Sequence, residues 1–151
     1  MPFWLIENTA TSAVVAAGRD VATFMAGHHI AQDDEDSVAA IAWMATAATL
    51  QLAENVMAYR LYKSQVNNTN ETNRPRKALL VGAALTLCRI GASFVGGFFA
   101  GQDNQLNPFN DHTRLQTKVT AAVAGALVVA DAAKKTVDAA KERKGYTSLF
   151  K

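Results

Sequence analysis

Cysteine is nearly absent. Cys88 stands alone, which excludes an internal disulfide, and its position within an apolar run predicts a buried, inert thiol. An excess of charge of one sign is also missing. The formal net charge is +2, and no basic stripe interleaved with aromatics offers a track for a phosphate backbone, so nucleic acid is not an expected partner. Before Arg19 the chain carries no basic side chain but does carry Glu7, a pattern of neither a secretory leader nor an Arg-rich transit peptide. Import is expected to use internal segments or a presequence already removed. There is no glycine-rich phosphate loop, no serine or cysteine nucleophile motif and no His-Glu-x-x-His pattern. The expectation is a protein that is not an enzyme, with no cofactor and no resident metal.

What is present is apolar and small. Half of the 151 residues are hydrophobic, with alanine far ahead of leucine or isoleucine, enough for one domain spanning 1–151. The mean hydropathy is only +0.02 because polar loops and a charged C-terminal segment offset four apolar stretches, near residues 9–31, 37–59, 78–101 and 115–133. Residues 78–101 are uncharged except for Arg89 at the midpoint. At ~1.5 Å per residue such a helix crosses a ~30 Å hydrocarbon core. The other three stretches carry Ala, Thr and Gly where a lipid-facing helix carries Leu, so they insert well only beside neighbours. The pattern predicts an all-α, polytopic transmembrane protein of about four helices.

Charges sort by connection. The first holds Asp33, Asp34, Glu35 and Asp36 and no base, whereas the second holds Arg60, Lys63, Arg74, Arg76 and Lys77. The third is nearly neutral, and the C-terminal segment gathers Lys134, Lys135, Lys141, Arg143, Lys144 and Lys151. Positive side chains mark the side from which insertion occurs, which puts both termini on that side. Two sequons, at Asn67 and Asn70, fall in the basic second connection and are read as coincidence.

At helical spacing each stretch has a small or polar face. In the third it is Gly82, Thr86, Arg89, Ser93, Gly97 and Ala100, opposite Leu80, Leu87, Ile90, Phe94 and Phe98. Ser12, Ala16, Arg19, Thr23 and Gly27 form the face of the first. Ala40, Ala47, Gln51, Glu54 and Ala58 form that of the second, and Thr117, Ala121, Ala124 and Asp131 that of the fourth. Small residues mark helix contacts in a membrane, and bulky ones meet lipid. The ionisable residues Arg19, Asp20, Glu54, Arg89 and Asp131 nearly cancel in charge, the condition for a shared buried polar network. Glu54 and Asp131 fall toward the insertion-side ends of their stretches, where interfacial water is an alternative partner. Arg89 is central and needs Glu54, Asp131 or a carboxylate of another chain.

Other features have plainer readings. His28 and His29, followed by the acidic 33–36 run, match no metal-ligand spacing and read as an exposed acidic turn, with Asp36 or Ser37 capping the second helix. Phe3, Trp4, Trp43, Tyr59, Tyr62, Phe109, Tyr146 and Phe150 read as interfacial anchors. Pro108 marks a turn, with Asn107 or Asp111 as a cap for the helix that follows. That last helix is expected to reach about Lys144 and to end at Gly145, leaving Tyr146 to Phe150 as a short tail that docks on a partner or lies in the headgroups.

Ala53-Glu54-Asn55 and the arginine of the third stretch give a superficial likeness to the small membrane glutathione transferase and leukotriene synthase family. Residues 47–63 do not reproduce that family's Asn/Glu placement or its arginine-rich entry. In size, in its alanine-rich, weakly hydrophobic stretches at 9–59 and 115–133, and in its basic tail, the chain resembles the small dimer-associated accessory subunits of green-algal-type mitochondrial ATP synthase. That resemblance implies a non-catalytic scaffold in the mitochondrial inner membrane and no particular site residues. The leading expectation is a structural subunit whose partners are other membrane subunits and the lipid bilayer. The alternatives are a proton or ion conductor using Glu54, Arg89 and Asp131, and a soluble or peripheral bundle with residues 78–101 as its buried central helix.

Overall fold

A computed structural model describes residues 3–32, 37–70 and 72–148. They form four helices: α1 (Phe3–Ala31), α2 (Ser37–Thr69), α3 (Asn73–Gln102) and α4 (Leu115–Ser148). No strand occurs among the described residues. Interfacial anchoring by Phe3, Trp4, Tyr146 and Phe150, the acidic turn at 33–36 with its cap at Asp36 or Ser37, and the docking of the C-terminal tail all lie outside the described residues or side chains.

The helices are long because the sequence is rich in alanine and contains only three prolines. Pro75 sits in the first turn of α3, where its missing N–H is no loss. Two asparagines stop helices by turning left-handed: Asn70 at φ 51° after α2 and Asn104 at φ 54° after α3. Because α2 runs on to Thr69, Arg60 and Lys63 are helical rather than part of the second connection, which shrinks to the few residues around Asn70. Gly145 does not end α4, which continues to Ser148. A helical glycine costs about 1 kcal/mol against alanine, too little to stop a run of good helix formers. Neither Asn107 nor Asp111 caps α4. Asn107 accepts the Phe109 N–H in a local turn, and the side chain at the start of α4 is Asp103, which accepts the Arg114 backbone N–H at 3.0 Å.

By length and composition α3 and the Leu115–Ala140 portion of α4 can cross a membrane. The helices alternate in direction, so the N-terminus of α1 and the C-terminal end of α4 lie at one end of the bundle. The parallel helices α1 and α3 form the centre, α2 packs mainly on α1 and α4 on α3, and α2 and α4 scarcely meet. The centre is held by backbone proximity. A Cβ at Gly97 would overlap the Phe24 carbonyl, one at Gly101 the His28 carbonyl, and one at Gly27 the Phe94 carbonyl.

The buried and exposed sets are inverted relative to a water-soluble bundle. The buried apolar residues are Ala16, Ala22, Ala26, Ala40 and Ala100, whereas Leu87 is 71% exposed and Leu80 61%. Cys88 is exposed, contrary to the buried thiol expected from its apolar neighbourhood. It follows from helix geometry, since Arg89 points inward and its predecessor lies ~100° around the axis.

Candidate functional site

Arg19 and Asp20 are neighbours in α1 and both point into the bundle, Arg19 toward α2 and Asp20 toward α3. Arg19 donates from Nη2 to Asp20 Oδ1 at 2.7 Å, from Nη1 to Gln51 Oε1 at 2.8 Å, and to Glu54 Oε2 of α2. The other oxygen of Asp20 accepts from Arg89 of α3, at 2.8 Å from Nε and 2.5 Å from Nη2. Arg89 Nη1 in turn donates to Asp131 Oδ2 of α4. One turn further along α4, Lys135 Nζ lies 3.0 Å from Asp131 Oδ2 and 2.9 Å from Glu54 Oε1.

These contacts close a ring, Arg19–Asp20–Arg89–Asp131–Lys135–Glu54, in which charge alternates and each member meets two of opposite sign. Three cations and three carboxylates cancel. All four helices contribute, each from near its mid-length. Arg19 is 1% exposed, Arg89 and Asp131 2%, and Glu54 6%. Charges so buried are tolerated only when paired and hydrogen-bonded. Glu54 and Asp131 are buried in the bundle, and each is held there by two cations.

Lys135 is the ring member that sequence reading left among the tail lysines. Its signal is the i,i+4 spacing from Asp131 within one helix, the spacing that brings side chains together. The neighbouring Lys134 pairs with Asp138 at 2.7 Å.

The packing face of α3 divides at the ring. Beyond Arg89, Ser93, Gly97 and Ala100 are buried, together with Gly96 and Gly101, which lie on the same seam. Before it, Gly82 and Thr86 are only half-buried, and the atom nearest a Cβ at Gly82 would be Lys134 Nζ of α4 at 3.6 Å. Here a cavity of about 380 Å³ opens between the basic-end halves of α2, α3 and α4, lined also by Ser12 of α1. Glu54, Asp131 and Lys135 form its inner wall. Among the described residues no three His, Cys, Asp or Glu side chains are grouped to hold a metal ion.

At the other end of the bundle Asp103 ties the α3–α4 connection together. Its carboxylate accepts from Thr117 Oγ1 at 2.6 Å, from the Arg114 backbone and from the Arg114 guanidinium. The Thr117 hydroxyl bond foremost, then Arg114, hold it below the usual aspartate range against the opposing effect of burial. A depressed folded-state pKa contributes stability that is complete above the unfolded value, about 3.9, and fades as pH falls through the lowered folded value. Asp103→Asn should therefore lower the thermal midpoint at pH 6, and its deficit relative to the unsubstituted protein should shrink on acidification toward pH 3, followed by circular dichroism. A deficit independent of pH would remove the carboxylate's role.

No known protein family, curated protein or solved structure matches this chain.

Proposed function

We propose that the chain is a polytopic helical membrane protein that serves as a non-catalytic structural subunit of a larger membrane assembly. The observation that carries this reading is the outer surface. Large aliphatic side chains, Leu80, Leu87, Val129 and Val14 among them, point outward around a core of alanine and compensated charge. That distribution suits lipid as solvent and is costly in water. Soluble-bundle logic would bury α3 as a central apolar helix, and its Leu80, Val81, Leu87 and Val95 are exposed instead.

The need for neighbours no longer comes from Arg89, whose partners are in its own chain. It comes from α2 and α4, each packed on one side only. Ala42, Ala45, Thr49 and Ala53 line an exposed face of α2, and Ala122, Ala126, Ala130 and Ala133 are exposed on α4. Small residues of this kind gain little from lipid and allow close approach of further helices. The resemblance to dimer-associated ATP synthase subunits suggests the mitochondrial inner membrane and an energy-transducing complex as the setting.

Native membranes solubilised in mild detergent test the proposal. The chain should migrate in a particle far larger than its own 16.1 kDa, and a lone stable monomer would overturn the subunit reading. Alkaline carbonate should leave it in the membrane pellet. Release into the supernatant would favour the peripheral bundle.

A second reading, an ion or proton passage, is favoured by the cavity reaching Glu54 and Asp131. Two features weigh against it. Each ring carboxylate is already held by two cations, and beyond the ring the α1–α3 seam closes to backbone contact at Gly27, Gly97 and Gly101. Flux through proteoliposomes that disappears in Glu54→Gln, with folding retained, would reverse that ranking.

A further inference from the structure

The cavity at the basic end combines an apolar wall with a charge left over. Met57, Ala58 and Leu61 of α2 and Leu79 of α3 supply the wall. Of the charged lining, Glu54, Asp131 and Lys135 are consumed by the neutral ring and Lys134 is shared with Asp138. Arg60 remains, exposed at the rim, with no carboxylate partner among the described residues. The unmatched group in the lining is thus a cation, so the missing complement is an anion joined to something apolar.

Depth agrees with this. Counting at ~1.5 Å per residue from the start of α2, Arg60 lies roughly 35 Å along the helix, beyond a ~30 Å hydrocarbon layer that begins at the acidic end. Arg60 then sits at headgroup level, on the side that also carries Lys63, Arg74, Arg76 and Lys77. A volume of about 380 Å³ falls in the range of roughly 300–1,000 Å³ of small-ligand sites. Basic pockets between membrane helices on the insertion side recognise anionic headgroups.

We propose that this cavity seats one anionic phospholipid, with its phosphate at Arg60 and the first part of an acyl chain along Met57, Leu61 and Leu79. The assignment rests on the membrane reading above. It makes the basic ends of α2 and α4, joined from within by Lys135 to Glu54, a lipid-filled joint.

Native mass spectrometry of the full chain in mild detergent, titrated with phosphatidylglycerol or with phosphatidylcholine of the same acyl chains, tests it. One phosphatidylglycerol should be retained per chain at about tenfold lower concentration than phosphatidylcholine. Arg60→Gln should reduce that preference about fivefold, the effect of one basic residue at a membrane surface, and Ala58→Phe should expel both lipids by filling the wall. Equal retention of the two lipids, or a preference unchanged in Arg60→Gln, would overturn the lipid seat. So would inorganic phosphate binding as tightly as the lipid. Because Arg60 is exposed, its substitution keeps the test decisive even if Ala58→Phe does not fold. A chain that stays in the carbonate pellet yet shows no headgroup preference loses only the lipid seat, whereas one that leaves the pellet loses the membrane reading as well.

Discussion

Arg89→Leu should destabilise the folded bundle by about 3–5 kcal/mol, the usual cost of removing one partner from a buried ion pair. The reason is arithmetic within the ring. With Arg89 gone, Asp20 and Asp131 each keep one cation instead of two, and three buried carboxylates face only Arg19 and Lys135. Deleting a carboxylate as well restores neutrality: in Arg89→Leu with Asp131→Leu, Asp20 retains Arg19 and Glu54 retains Arg19 and Lys135. The double variant should therefore recover more than 1 kcal/mol of the loss, a coupling well above the few tenths expected for independent sites. Thermal unfolding in detergent, followed by loss of helical circular dichroism, measures the unsubstituted protein, Arg89→Leu, Asp131→Leu and the double variant. If the single variant unfolds at the unsubstituted midpoint, or if the two substitutions simply add, the ring is not a cooperative unit. Rescue would also separate a structural network from a conducting one, since a passage that needs Arg89 and Asp131 individually gains nothing from losing both.

The ring explains how a bundle with an alanine core keeps one register. Alanine side chains give few contacts and little shape to distinguish one helix offset from the next, so sliding α4 by a turn along α3 would lose little packing. The same slide would separate Arg89 from Asp131 and Lys135 from Glu54, leaving charges uncompensated in the core. Polar groups in apolar interfaces set register in this way at a cost in stability.

Much of this arrangement can be read from spacing. Small and polar residues recur every three or four positions in all four apolar stretches, and helical periodicity alone collects Arg19, Glu54, Arg89 and Asp131 on inward faces. Which acid meets which base is not in the periodicity, because it depends on how far each helix is shifted along its neighbour. Lys135 is the exception, because a lysine two residues beyond the last apolar stretch looks like part of a solvated tail. Only the length of α4, continuing well past it, shows that it is still inside the bundle. The glycines were legible as a class but not singly. Gly82 and Gly97 share one face, yet α1 leaves α3 below Arg89, so one glycine is open and the other is pressed against backbone.

That difference supplies the second large effect. Gly97→Ala should cost about 3 kcal/mol or more, at the upper end of overpacking substitutions. The added Cβ would overlap the Phe24 carbonyl oxygen and lie 2.7 Å from its carbon and 2.9 Å from Phe24 Cα, against an ordinary contact of about 3.5–4.0 Å. No rotamer change relieves it, because the obstacle is the main chain of α1. The helices must separate, and the neighbouring contacts at Gly27 and Gly101 are lost with them. Gly91→Ala, two turns away, is the control. Nothing lies within 4 Å of a Cβ there, so alanine should stabilise by about 0.5–1 kcal/mol through its lower backbone entropy in the unfolded chain. Opposite signs for the same chemical change at two positions of one helix, measured as midpoint shifts in a single detergent, would locate the seam. Equal shifts at both positions would mean that α1 and α3 do not touch through their backbones, and the close parallel pair at the centre of the bundle would have to be abandoned.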